Sequence, residues 1–149
     1  MFGTIPHCRA LNMAVEDVAR GEGTIIAPYD PALVGNPDRG VLHGGVVTAL
    51  LDTVAGLVVF SVIPEGASTA TLDLRIDYLK PATPGLALRA RGLVTKLTPS
   101  VAFVRGRAFH EDPDDPIAHC TATFMVGSTG FTTSGNGEGG GNGEGGGTA

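Results

Sequence analysis

At 149 residues, with 42% hydrophobic and 17% charged side chains, the chain has the makeup of one globular domain with a core of its own. A net charge of −5 at pH 7 excludes the global basic field that draws in nucleic acid, so an anionic ligand has to be met locally by a few of the ten Lys and Arg residues. The two cysteines, Cys8 and Cys120, have no metal-ligand spacing, and a reducing compartment keeps both as thiols.

The N-terminal stretch MFGTIPHCRALNMAVEDVARGEG lacks the basic segment, apolar run and small-residue cleavage site of a secretory signal, so a cytoplasmic protein is expected. Within and beyond it, NMAVEDVARG and EGTIIAPYD read as a short strand hairpin, and PALVGNPDRG reads as loop because several of its residue types favour turns. Residues 40–63, GVLHGGVVTALLDTVAGLVVFSVI, then run apolar for most of their length. The part from Val46 to Ile63 is long enough to span a bilayer, but Thr48, Asp52, Thr53, Gly56 and Ser61 interrupt it and no Lys or Arg cluster flanks it. An aspartate near a bilayer centre also costs roughly 2.5 to 3.5 kcal/mol on insertion scales. The run therefore predicts a buried helix with no membrane partner. A carboxylate removed from water costs several kcal/mol unless it is hydrogen-bonded, paired or protonated, so Asp52 needs a partner or a task.

Residues 69–78, TATLDLRIDY, alternate, with Leu72, Leu74, Ile76 and Tyr78 on one face and Thr71, Asp73, Arg75 and Asp77 on the other. That pattern predicts a half-buried antiparallel strand. KPATPG breaks the chain, LALRARGLVTKLT and VAFVRGRAFHED resume as strands, and DPDDP turns before a last strand, IAHCTATFMV. One apolar helix among six strands has an economical packing in which a curved antiparallel sheet wraps the helix, an α+β domain. From Gly127 the tail holds 11 of the 23 glycines and repeats NGEGGG in tandem, so the folded domain is expected over residues 1–126 and a disordered tether over 127–149.

The loop and helix start NPDRGVLHGGVVTALLD, followed about twenty residues on by TLDLRIDYLKPA, resemble the hotdog-fold acyl-CoA thioesterases, specifically the phenylacetic-acid-degradation (PaaI-like) branch. The resemblance covers roughly residues 5 to 126. It implies a hotdog fold, a homodimer or dimer of dimers, and hydrolysis of acyl-coenzyme A thioesters without metal or organic cofactor. It also implies that the Gly44 N–H is the oxyanion donor and that Asp52 activates water or attacks the thioester carbonyl. His43 resembles the family residue that orients the loop and touches the thioester, and Asn36, seven residues before it, the asparagine that helps position water or substrate. Thr71 falls where some relatives hold the attacking water beside the carboxylate.

The residues themselves support part of this chemistry. A helix N-terminus leaves backbone N–H groups unpaired and carries partial positive charge, which suits the HGG turn to a developing oxyanion, and Gly44 and Gly45 allow a substrate close approach. Ser100, His110 and His119 are not accompanied by a G-x-S-x-G nucleophile elbow and read as surface or strand residues. Arg39, Lys80, Arg89 and Arg91 are candidate contacts for coenzyme A phosphates by charge alone. The pocket is expected among Val47, Leu50, Leu51 and Val54 of the helix and the facing strands, with aromatic and medium-chain acyl groups both compatible. Gly44 and Asp52 lie eight residues apart, about 12 Å along a helix, while catalytic groups converge within about 3 Å of one carbonyl. If both act, a two-fold partner has to bring its Asp52 to the Gly44 of the first chain. The reading from another class is a hotdog module that binds acyl-CoA without hydrolysing it. A hotdog hydratase fits less well, because its Asp and His share one loop.

Overall fold

The computed structural model describes residues 5–127. The glycine-rich tail predicted from the sequence lies, beyond Gly127, outside the described residues.

The chain begins with a short helix, α1 (Pro6–Ala10), which has proline in its first turn. It ends at Asn12 in a left-handed conformation, φ 50°. Strands β1 (Ala14–Ala19) and β2 (Glu22–Ala27) form the predicted hairpin, closed by Arg20 and Gly21, with Gly21 at φ 80° where a side chain would be strained. The segment read as loop carries more order than expected. Asp30 caps a 3-10 turn over Pro31–Leu33, and β3 (Val34–Asn36) pairs with β4 (Val41–Leu42) in a small ladder that delivers the chain to the long helix. That helix, α2, spans Gly44–Phe60, and four strands follow: β5 (Thr69–Tyr78), β6 (Leu88–Leu97), β7 (Val101–Phe109) and β8 (Ala118–Val126).

Six strands form one antiparallel sheet in the order β1-β2-β6-β7-β8-β5, and α2 packs against β6, β7, β2, β5 and β8. The predicted α+β architecture, a sheet around one helix, is the one observed. Val46, Val47, Leu50, Leu51, Val54, Ala55, Val58 and Val59 of α2 are buried, each contributing about 1.5–3 kcal/mol for the larger side chains. The sheet makes room for the helix at one place in particular. Gly92 of β6 pairs with Gly106 of β7, and a Cβ on Gly92 would stand 3.3 Å from the Val54 carbonyl oxygen and the Val58 side chain. Among the described residues no helix is long and apolar enough to cross a membrane.

The alternation read along 69–78 holds only from Asp73 onward. Thr71 pairs with Phe124 and Asp73 with Thr123, so Leu72 is an extra residue in β5, a bulge. Leu74, Ile76 and the buried Phe124 face the core, and the bulge turns Thr71 to that helix side while Leu72 is left 54% exposed. Period-two logic places Thr71 with the polar residues because it counts no inserted residue. The outer edge of β5 is unpaired among the described residues.

Candidate active site

The site grows from the start of α2. His43 is the N-cap residue: its backbone is extended and its Nδ1 accepts a hydrogen bond from the Gly45 N–H at 2.9 Å. An imidazole that accepts at Nδ1 carries its proton, when neutral, on Nε2. The His43 backbone is held in turn, donating to the Leu33 carbonyl at 2.9 Å, and Gly35 lets β3 lie against it, since a Cβ there would come within 2.8 Å of the His43 Cα. Neither Leu33 nor Gly35 stood out in the sequence, because both act through backbone proximity that a ladder of three residues creates.

The first-turn donors are then accounted for one by one. The Gly45 N–H goes to His43 Nδ1 and the Val46 N–H to the His43 carbonyl at 2.9 Å, while the Gly44 N–H has no acceptor among the described residues. Gly44 and Gly45 are both exposed, so this donor faces open surface at the positive end of the helix. The two glycines differ in what demands them. A Cβ on Gly45 would sit 2.9 Å from His43 Nδ1, whereas one on Gly44 would meet nothing closer than the Tyr78 ring at 3.6 Å. A side chain at 45 would make the His43 ring shift, whereas one at 44 fits at ordinary contact distance.

Asp52 lies two turns further on, half-buried on the stripe of α2 that its own sheet covers least, with Thr48, Ala49, Thr53 and Gly56. Thr71 Oγ1 donates to Asp52 Oδ1 at 3.1 Å, which satisfies one carboxylate oxygen and leaves the other without a partner among the described residues. The β5 bulge is what brings the hydroxyl there. Cys120, buried on β8, senses this region: burial pushes its thiol up to about 11 and the Asp52 charge adds to the rise, while a backbone hydrogen bond at Gly106 opposes it.

Asn36 sits on the β3–β4 turn. Its side-chain oxygen accepts the Arg39 N–H at 3.2 Å and its carbonyl accepts the Gly40 N–H at 2.9 Å, so its polar groups build the β3–β4 turn. Two surface clefts flank the helix start. One, of about 330 Å³, is walled by Leu11, Leu33, Val34 and Val46 and reaches His43 and Gly45; the other, of about 270 Å³, lies between Gly44, Val47, Tyr78, Leu79 and Lys80. Of the helix residues expected to line the pocket, Val47 reaches a cleft, whereas Leu50, Leu51 and Val54 are wholly enclosed in the core. A third cleft, about 390 Å³ around Arg20, Val62 and Lys96, lies at the far end of α2 and touches none of the predicted site residues. Lys80, Arg89 and Arg91 are engaged in ion pairs with Asp115, Glu16 and Glu22. His110 is not an idle strand residue: its Nε2 accepts the Thr83 N–H and its Nδ1 binds the Ala87 carbonyl, both at 2.8 Å, clasping the loop before β6.

A six-stranded antiparallel sheet wrapped on one central helix is the hotdog architecture. The thioesterase superfamily model matches residues 39–117. Among relatives, the medium/long-chain acyl-CoA thioesterase YigI of Escherichia coli K12 is 33% identical over 136 residues, covering 83% of this chain and 86% of that protein. A Halobacterium salinarum protein whose name carries the word esterase is 38% identical over 97 residues, 63% of this chain and 64% of its own length, so the chain spans a little under two thirds of that relative. A phenylacetic acid degradation-related protein of Ralstonia eutropha JMP134 has a solved structure that superposes with a TM-score of 0.72 at 30% identity, covering 82% of this chain and 91% of the other. The chain belongs to the thioesterase superfamily and is a thioester hydrolase of PaaI-like type.

Proposed function

We propose that this protein hydrolyses acyl-coenzyme A thioesters at sites shared between two copies of the chain, with the Gly44 N–H of one as oxyanion donor and Asp52 of the other as the base or nucleophile. The observation that carries the reading is the pairing of an unpartnered helix-start donor with a carboxylate held by Thr71 eight residues away on the same helix. Along α2 that interval is about 12 Å, too long for one carbonyl to meet both groups from one chain. Two further features support a second copy. The outer edge of β5, unpaired among the described residues, belongs to a ten-residue strand, with Leu72, Tyr78 and Leu79 exposed beside it. The least covered stripe of α2 carries Asp52 among small residues, Ala49, Thr53 and Gly56, against which another helix fits closely.

In this scheme the thioester carbonyl oxygen accepts the Gly44 N–H and the helix end stabilises the charge that develops there. Asp52 takes a proton from water as the water oxygen bonds to the carbonyl carbon; Thr71, on one carboxylate oxygen, leaves the other for that proton. Collapse of the tetrahedral adduct breaks the carbon–sulfur bond, and the coenzyme A thiolate leaves and is protonated. The His43 Nε2–H is suited to donate to the thioester. The similarity to YigI favours a medium- or long-chain acyl group.

The experiment is thiol release over a panel of acyl-CoA thioesters, with Asp52→Asn beside the wild type. The amide is nearly isosteric and cannot act as base, so a folded variant is expected to lose about 10²–10⁴-fold in turnover. Near-wild-type turnover by folded Asp52→Asn would remove Asp52 from the chemistry. Saturable acyl-CoA binding with no thiol released by the wild type would make the protein a binding module instead.

A further inference from the structure

The geometry points to Tyr78 as a positioning residue that, with Thr48, fixes the tautomer of His43 through the Gly44–Gly45 peptide. Tyr78 ends β5, and its hydroxyl donates to the Gly44 carbonyl at 3.0 Å. Thr48, one turn into α2, reaches the same carbonyl with Oγ1 at 3.2 Å, and the two hydroxyls stand 2.7 Å apart. Both hydroxyls lie within donating distance of the Gly44 oxygen and either can be the donor between them, so whether Tyr78 passes its proton to Thr48 and Thr48 to the carbonyl, or the reverse, the pair delivers a proton to that oxygen. That oxygen belongs to the peptide whose N–H is that of Gly45, and the Gly45 N–H is the donor to His43 Nδ1. Donation to a peptide oxygen polarises the amide and strengthens its N–H as a donor, since hydrogen bonds in a chain reinforce one another.

The result is one continuous relay: hydroxyl pair, Gly44 carbonyl, Gly45 N–H, His43 Nδ1. Its output is the proton on Nε2, the ring nitrogen that faces away from the cap. Neither Tyr78 nor Thr48 contacts His43 directly through any of these bonds, so their effect is exerted through the peptide. Tyr78 is also about half exposed, and its hydroxyl needs no partner to keep the fold, as water would serve it. Its use on the Gly44 carbonyl is therefore a specific engagement. The same strand holds Asp52 through Thr71, so in each chain β5 supports both the Gly44 turn and the carboxylate.

The kinetic consequence rests on the thioesterase reading, but the tautomer does not, and the test separates the two. Long-range proton–nitrogen NMR of the His43 ring, assigned with His43→Gln, reports which nitrogen is protonated in the free protein. The wild type is expected to show the Nε2–H form. Tyr78→Phe keeps the ring, and the double variant Thr48→Val with Tyr78→Phe removes both hydroxyls; both are expected to shift the His43 nitrogen signals toward a mixture of tautomers, the double variant further. In thiol release, Tyr78→Phe is expected to lower kcat about tenfold, the rate equivalent of roughly one net hydrogen bond, with KM little changed. An Nδ1–H tautomer in the wild type, or His43 signals unmoved in the folded double variant, overturns the relay. A loss confined to KM with unmoved signals overturns it too, and makes Tyr78 a substrate contact. If the signals shift but no acyl-CoA is hydrolysed by the wild type, the thioesterase reading fails while the relay stands.

Discussion

Gly44 and Gly45 are adjacent and chemically identical, yet only at one of them would a side chain displace a neighbour. A Cβ at 45 crowds His43 Nδ1 at 2.9 Å and displaces the cap, while a Cβ at 44 makes ordinary contact with Tyr78. Gly45→Ala is therefore expected to lower stability by about 1 kcal/mol, the usual worth of an N-cap, and to lower activity with it. Gly44→Ala is expected to melt close to wild type and still lose turnover, because the methyl group stands where a substrate must approach the donor. Thermal melts and thiol release on the two variants check this; a fully active Gly44→Ala would mean that no substrate comes near this backbone. Asp52 shows the same separation of causes. Its burial is only partial and its one side-chain hydrogen bond among the described residues comes from an exposed threonine, so structure alone gives little reason for a carboxylate there.

At the scale of elements, α2 can sit close to the sheet because Gly92 and Gly106 face each other across β6 and β7, with Cys120 next to Gly106 on β8. A Cβ on Gly106 would come within 2.8 Å of Cys120 Sγ and 3.3 Å of the Arg91 carbonyl. Gly106→Ala is expected to destabilise the domain by about 1–3 kcal/mol, measured by urea unfolding, as overpacked cores do. Cys120 itself makes stability depend on alkaline pH. Its thiol titrates near 9.0 when unfolded and at about 11 in the fold, so the native state holds the proton longer. Below the unfolded value both states are neutral and the contribution is complete; as pH rises from about 9 towards 11 the unfolded chain loses its proton first and stability falls. Urea midpoints measured across that interval are expected to decline more steeply for the wild type than for Cys120→Ala, and parallel slopes would refute the assignment.

For the whole molecule, the shared site makes a prediction that no single chain can satisfy. Gly44→Pro removes the backbone donor, and its position suits proline: it is the first residue of α2, and His43 before it is extended at ψ 137°. Gly44→Pro and Asp52→Asn are each expected to be nearly inactive. In a mixed dimer one site collects both lesions and its twin none, so random reassortment of equal amounts leaves about a quarter of all sites intact. Co-refolding the two inactive variants, with a tag on one to confirm exchange, is expected to restore that fraction of wild-type thiol release. No recovery in confirmed mixed dimers would place both groups in one chain.

Much of this molecule is legible in its sequence because its long elements are set by local periodicity. The apolar run from Val46, the alternation in β5 and the proline and glycine breaks specify one helix and the long strands, and one helix with one sheet leaves few ways to hide the apolar faces. The HGG turn is legible too, as a helix start read over three residues, while its cap geometry is seen only in the structure. Tertiary structure decided what depends on a single inserted residue or on backbone approach. The bulge at Leu72 moves Thr71 to Asp52, Gly35 packs under His43, and the end of β5 brings Tyr78 over the Gly44 carbonyl, 34 residues away in sequence. A period of two cannot register an extra residue, and sequence separation cannot report distance. Hydrogen bonds between remote segments exist only once the sheet has closed around its helix, so the contact of Tyr78 with the Gly44 carbonyl is not legible in the sequence, and that of Thr71 with Asp52 is expected only through the family resemblance.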